Sequence, residues 1–281
     1  MASRKVSTDR VVPLLPYDTL RPLQHIVIRM ILVFDSILDS KKLHDTLWHI
    51  VAEREGWSRF GARLRRSGST GLEYHIPAKY SGGRPALNFN HTTHRAKIRD
   101  HAEGCQLLPS VGTETKAHLA PGEDFFMPKT GPNKLDDYLE SDLPVLGLNV
   151  ISFEDATVVV LHLPHVLTDG TGIALLLHAW VLALNNKEDK IPIPLAVDVD
   201  LLGPLDEEIK LESDKGWLLS DWQRSWLGWT WLNIRSLPRT LDPPLELKTI
   251  IVPAARMKVL REAALQDRMA GQETEGGKPP H

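Results

Sequence analysis

The chain is predicted to adopt an α/β fold, on three observations. Two apolar, β-branched runs, "HIVIRMILVF" at 25–34 and "TVVVLHLPH" at 157–165, have the composition of buried strands. Segments 38–55 and 173–184 repeat apolar residues at intervals of three and four, the period of a helix with one buried face. Strand-like and helix-like segments are interspersed along the chain.

After a polar start and the proline-punctuated "VVPLLPYDTLRP", the run 25–34 supplies the first long strand. In "LDSKKLHDTLWHIVAERE" the residues Leu43, Leu47, Ile50 and Val51 share a face, and Asp39 or Ser40 can accept hydrogen bonds from the free N–H groups at the start of that helix. "GARLRRSGSTGLEYHIP" reads as two alternating strands around a Gly/Ser turn. Residues 90–145 mix glycine, proline and charge, and are expected to be long surface connections. "LGLNVISFE" and "TVVVLHLPH" flank the acidic turn Glu154-Asp155, so an antiparallel hairpin is expected. The helix after it should bury Ile173, Leu176, Leu177, Trp180, Val181 and Leu184, with Asp169 or Thr168 as its cap.

"NNKEDKIPIPLAVDVDLLGPLDEE" reads as a connection, followed by a candidate helix with Trp222, Trp226 and Trp229 on one face and Trp217 and Trp231 beside it. That aromatic face is expected to pack on the main domain, with binding to a membrane surface as the other use. "LELKTIIVP" has strand character, "ARMKVLREAALQDRMA" helix character, and the tail 271–281 is polar and Gly/Pro-rich, as disordered tails are. The expected organisation is a domain over 10–195, a crossover segment over 196–270, and the tail.

Composition narrows the function classes. With 281 residues the chain can bury a sizeable core, and 33 basic against 36 acidic residues, a net charge of -3, give no general electrostatic attraction to nucleic acid. One cysteine, Cys105, excludes an intramolecular disulfide and fits a reducing compartment, so the expected location is the cytoplasm. The N-terminal segment has no continuous apolar core of a signal peptide, and the apolar runs elsewhere are broken by Arg29 or by Glu154 and Asp155, so no membrane span is expected.

The candidate chemistry lies in "HVLTDGTG", 165–172, where a strand gives way to a capped apolar helix. A rigidly held neutral imidazole at His165 can take a proton from a hydroxyl or amine as that group attacks a carbonyl. Asp169 is placed to brace the loop, while Gly170 and Gly172 let the backbone turn sharply and a ligand approach closely, which makes Gly170 a candidate substrate-binding residue. No metal site is expected. The pairs His162/His165 and His91/His94 have no third ligand at a familiar spacing. His162 should lie on the opposite strand face from His165, as a hydrogen-bonded structural residue. There is no G-x-S-x-G serine elbow, and Leu175 stands where a dinucleotide loop needs its third glycine.

"HVLTDGTG" is similar to the H-x-x-x-D-G signature of the CoA-dependent acyltransferases typified by the plant BAHD family and its fungal relatives, the trichothecene O-acetyltransferases. "VVPLLPYDTL" resembles that family's opening segment, and 42–77 its first helix and following hairpin, so the resemblance covers most of 10–185. It implies a chloramphenicol-acetyltransferase-like mixed sheet with flanking helices, used twice in the family, of which this chain carries the first half. It also implies acyl transfer from acyl-CoA, acetyl-CoA being one such donor, to a hydroxyl or amine of a small secondary metabolite. In that reading His165 is the general base, Asp169 structures the loop through an ion pair with an arginine, and no cofactor is bound.

The family's second half carries S-T-N-D and D-F-G-W-G segments, and neither is present; "LGWTW" at 227–231 shares letters but not the pattern. Condensation domains of peptide synthetases use a second histidine directly before the first, where this chain has Pro164. The competing reading is a truncated, non-catalytic acyltransferase-like protein that binds or interacts, with self-association through exposed apolar surface.

Overall fold

The computed structural model describes residues 6–24, 26–68, 71–108, 116–119, 121–128, 131–196, 198–200, 230 and 248–275. The tryptophan-rich segment around Trp222, Trp226 and Trp229 and the end of the tail lie outside the described residues. Contacts divide the chain into two compact units, 1–95 with 127–243 and 96–126 with 244–281.

The first unit is α/β. Its main sheet has strands β2 (Val27–Phe34), β5 (Asn88–Thr93), β7 (Gly147–Ser152) and β8 (Thr157–Pro164) in the order β2-β8-β7-β5. β8 runs antiparallel to β2 and β7, whereas β5 joins β7 in parallel, so the sheet is mixed. All eight residues of β8 are buried, which fits a central strand covered on both faces and explains its nearly unbroken apolar run. A second sheet has the order β1-β4-β3, from β1 (Arg10–Pro13), β3 (Arg63–Ser67) and β4 (Gly71–Ile76). Gly68, in the β3–β4 turn, has φ +61°, a conformation for which the missing Cβ suits it.

After the single-turn helix α1 (Arg21–Gln24), the fourteen-residue helix α2 (Ser40–Glu53) is capped by Asp39, whose carboxylate accepts hydrogen bonds from Lys41 N at 2.9 Å and Lys42 N at 3.1 Å. Leu43, Leu47, Ile50 and Val51 are its buried face, as the spacing predicted. It packs against α5 (Gly170–Leu184), where the indole N–H of Trp180 donates to Leu43 O at 3.2 Å and Thr46 Oγ1 at 3.0 Å. The buried stripe of α5 is Ile173, Leu176, Ala179, Trp180 and Ala183, whereas Val181 is 53% exposed and Leu177 and Leu184 are half-buried. A helix that is apolar nearly all round does not reveal by periodicity which side turns inward.

Two other expectations change. Residues 90–145 hold more regular structure than their composition suggested: the end of β5, a strand β6 (Lys116–Leu119) and the short helices α3 (Glu123–Phe126) and α4 (Leu135–Leu139). The β3–β4 hairpin does not alternate between buried and exposed, because Arg63, Arg65, Glu73 and His75 are all buried. Asp142 accepts from Arg65 at 2.5 Å and Arg84 at 3.1 Å, and Arg84 also makes a two-pronged pair with Asp9 at 2.7 and 2.8 Å. Glu73 meets His75 Nε2 at 2.8 Å. Charges buried on strands are tolerated when paired in this way.

In the second unit, β6 pairs antiparallel with β9 (Lys248–Ile251), and α6 (Ala254–Glu275) follows. The strand and helix read from "LELKTIIVP" and "ARMKVLREAALQDRMA" are both present, and α6 continues five residues into the segment read as tail. No helix among the described residues is long and apolar enough to cross a membrane.

Candidate active site

His165 follows directly on β8, at the point where the central strand leaves the sheet. Its backbone N–H donates to Ile26 O at 2.9 Å, which extends the β2–β8 pairing by one residue and fixes where the side chain emerges. The side chain is half-buried, and among the described residues no hydrogen bond engages its ring. No described residue therefore occupies either imidazole nitrogen.

The loop from 165 to 169 is held at three points. Leu167 N donates to Pro164 O at 2.9 Å, closing a tight turn, and Val166 and Leu167 are buried in the core cluster. The phenol of Tyr74 donates to Val166 O at 2.9 Å, tying β4 of the second sheet to this loop; burial pushes that phenol far above the usual range, so it stays a donor. Asp169 is the N-cap of α5, and its Oδ1 accepts from Gly172 N at 2.9 Å. A Cβ at Gly172 would lie 1.7 Å from Thr168 Oγ1, so a larger residue here would have to turn the Thr168 hydroxyl aside.

The sequence picked out His165 and Asp169, and the structure brings them to opposite ends of one short loop. Asp169 is exposed and makes no ion pair among the described residues, so the arginine that the resemblance implied is not seen there. A Cβ on Gly170 would meet nothing within 4 Å, so the first residue of α5 borders open space. The nearby Asp18 has its carboxyl raised by burial, opposed by the Arg59 charge, with Asp200 and Asp169 adding to the rise. Asp169→Ala removes a cap worth roughly 0.5–2 kcal/mol, so its melting temperature should fall by a few degrees, read in a calorimetric scan. An unchanged melting temperature would mean that the loop, not the cap, holds α5.

His91 and His94 do not converge on a common point. His91 reaches Ser152 Oγ at 2.9 Å and Ser40 Oγ at 3.3 Å, while His94 stacks on Phe153 at 5.1 Å between centroids. Among the described residues no group of three or more acidic, histidine or cysteine side chains is placed to hold a metal.

His162 is fully buried, and it pairs across the sheet with Gly147. Tyr138 Oη lies 3.3 Å from its Nδ1, as expected of a hydrogen-bonded structural residue. Burial, then the nearby Arg29 charge, depress its pKa from 6.5 to about 4. The folded chain thus keeps this imidazole neutral where the unfolded chain would protonate it. The stabilisation is complete above about pH 6.5 and is lost as pH falls towards 4, with a total on the order of 3 kcal/mol. Chemical denaturation at pH 7 and pH 4.5 should show a larger acid loss for the parent chain than for His162→Gln. Equal slopes would reject the assignment.

The mixed sheet of this α/β chain thus delivers a histidine, unengaged by the described residues, from a central strand to a capped helix. The chain is 32% identical over 279 residues to the acetyltransferase adrJ of Penicillium rubens, across 98% of this chain and 55% of that one. It is 32% identical over 273 residues to the O-acetyltransferase PaAT-2 of Phomopsis amygdali, across 94% and 54%. A protein named transcriptional regulator calD from Penicillium decumbens is 35% identical over 208 residues, across 73% and 42%. No protein-family model matches. Among solved structures, TRI101 of F. graminearum complexed with ethyl coenzyme A aligns over 63% of this chain and 40% of its own, at 15% identity and a TM-score of 0.46. Its homologues thus include fungal acetyltransferases and O-acetyltransferases. It spans about half the length of the curated relatives it matches.

Proposed function

We propose that the protein transfers an acyl group from acyl-CoA to a hydroxyl or amine of a small secondary metabolite, with His165 as general base. The observation that carries this reading is the His165 imidazole, unengaged by the described residues on a backbone pinned to Ile26. In this reading 10–195 is the catalytic half, 196–270 the crossover, and the cytoplasm the site of action.

The chemistry needs no covalent enzyme intermediate. One imidazole nitrogen accepts the proton of the acceptor hydroxyl as its oxygen bonds to the thioester carbonyl carbon. The tetrahedral adduct then collapses, the carbon–sulfur bond breaks, and the imidazolium returns the proton to the departing thiolate. The products are the ester and free CoA, and the histidine is restored. Asp169 acts on this only by setting the loop, and Gly170 leaves room for a ligand beside the helix start.

The test is thiol release from acetyl-CoA on addition of alcohol acceptors, by the parent chain and by His165→Ala. Release that depends on acceptor and on His165 supports the reading. Release unaffected by the substitution rejects it, and no release together with no CoA binding favours the non-catalytic alternative.

A further inference from the structure

Leu177, Val181 and Leu184 have the spacing of a buried helix face, yet the structure leaves them half-buried or exposed. They line one side of a cavity of about 320 Å³ between α5, the start of α2 and the β2–β8 pair. Leu32 and Val159 of the sheet form the opposite wall, and Trp180 one end. Both hydrogen bonds of the Trp180 indole go to α2, so that wall is fixed and offers the cavity no polar atom.

An apolar cleft suits apolar ligands, and the volume falls at the small end of the ~300–1,000 Å³ of small-molecule sites. The charged residues among those lining it are Asp39 and Lys42. One carboxylate oxygen of Asp39 is taken by the N–H groups that it caps. The Lys42 ammonium has no partner among the described residues. An ionic head of either sign would meet one attraction and one opposing repulsion and would still have to leave water, whereas a hydroxyl can accept from Lys42 and donate to Asp39 without that cost.

We propose that this cavity is a second binding site, for a neutral hydrocarbon of about ten heavy atoms with one terminal hydroxyl. The size follows from roughly 30 Å³ per small group, the share of one water in the liquid. Val159 precedes His165 by six strand residues, about 20 Å along the strand, so the site is separate from the histidine and does not depend on its role.

Calorimetric titration of the full 281-residue chain with 1-octanol, octanoate and octylammonium tests this. One saturable site is expected, at least fivefold tighter for the alcohol than for either ion. Val181→Trp, which closes the exposed mouth with a ring, should weaken 1-octanol at least tenfold while leaving the melting temperature in place. Lys42→Ala leaves a net acidic mouth and should move the preference towards octylammonium. No saturable 1-octanol site, or a Val181→Trp affinity equal to the parent's, overturns the proposal. So does a sedimentation experiment in which the parent is a dimer that Val181→Trp dissociates, because the occupant would then be a second copy.

Discussion

Gly147→Ala should destabilise the first unit by about 3–5 kcal/mol, although it adds a single methyl group. A Cβ built on Gly147 would lie 1.8 Å from His162 Nε2 and 2.0 Å from Cε1. The imidazole cannot swing aside cheaply. It is fully buried, and Tyr138, also fully buried, holds its Nδ1 at 3.3 Å. Overpacking a core typically costs about 1–3 kcal/mol, and releasing the Tyr138 contact would add about 1–3 for a buried group left unsatisfied. Domains have only about 5–15 kcal/mol in total, so the variant should unfold at clearly lower denaturant with an unchanged slope. Gly170→Ala is the control. Its methyl group meets nothing, and at a helix start alanine is no worse than glycine, so stability should hold or rise slightly. Equal midpoints for the two variants would show that the close approach of Gly147 and His162 is not a constraint.

That pair also marks where the sequence stops being readable. "LGLNVISFE" and "TVVVLHLPH" announce a hairpin, and it forms, but only the register places Gly147 opposite His162. Neither residue alone signals the other. The same holds for β5, whose residues "NFNHTT" have no apolar run; it becomes a strand because β7 offers it a parallel partner nearly sixty residues on. Long-range pairing likewise joins 116–119 to 248–251. By contrast, α2 was legible in full, because cap, period and buried face are all local. The loop at the candidate site lies between these cases. His165, Asp169 and the cap of α5 are sequence-adjacent and were found, whereas the tie from Tyr74 to Val166 crosses from another sheet and left no trace in the motif. The orientation of α5 is not legible because the helix is apolar nearly all round, and the cavity beside Leu177 and Val181 follows from that orientation.

If His165 is the base, His165→Ala should lower acyl transfer by about 10²–10⁴-fold, the usual contribution of a positioned proton acceptor. In barrier terms that is about 3–5 kcal/mol. The stability change should be small, because the ring is half-buried, makes no hydrogen bond among the described residues, and the strand contact to Ile26 is made by backbone that alanine retains. Asp169→Ala divides the opposite way. It should lower the melting temperature, since a helix cap is lost, and reduce turnover through loop disorder, as a positioning residue would. The decisive readout is pH. In the Asp169 variant the remaining activity should still depend on the protonation of one group, whereas the residual rate of the His165 variant should lose that dependence. A His165 variant that keeps the parent's rate and pH profile would leave the loop as a structural joint between β8 and α5, and the base would have to be sought elsewhere.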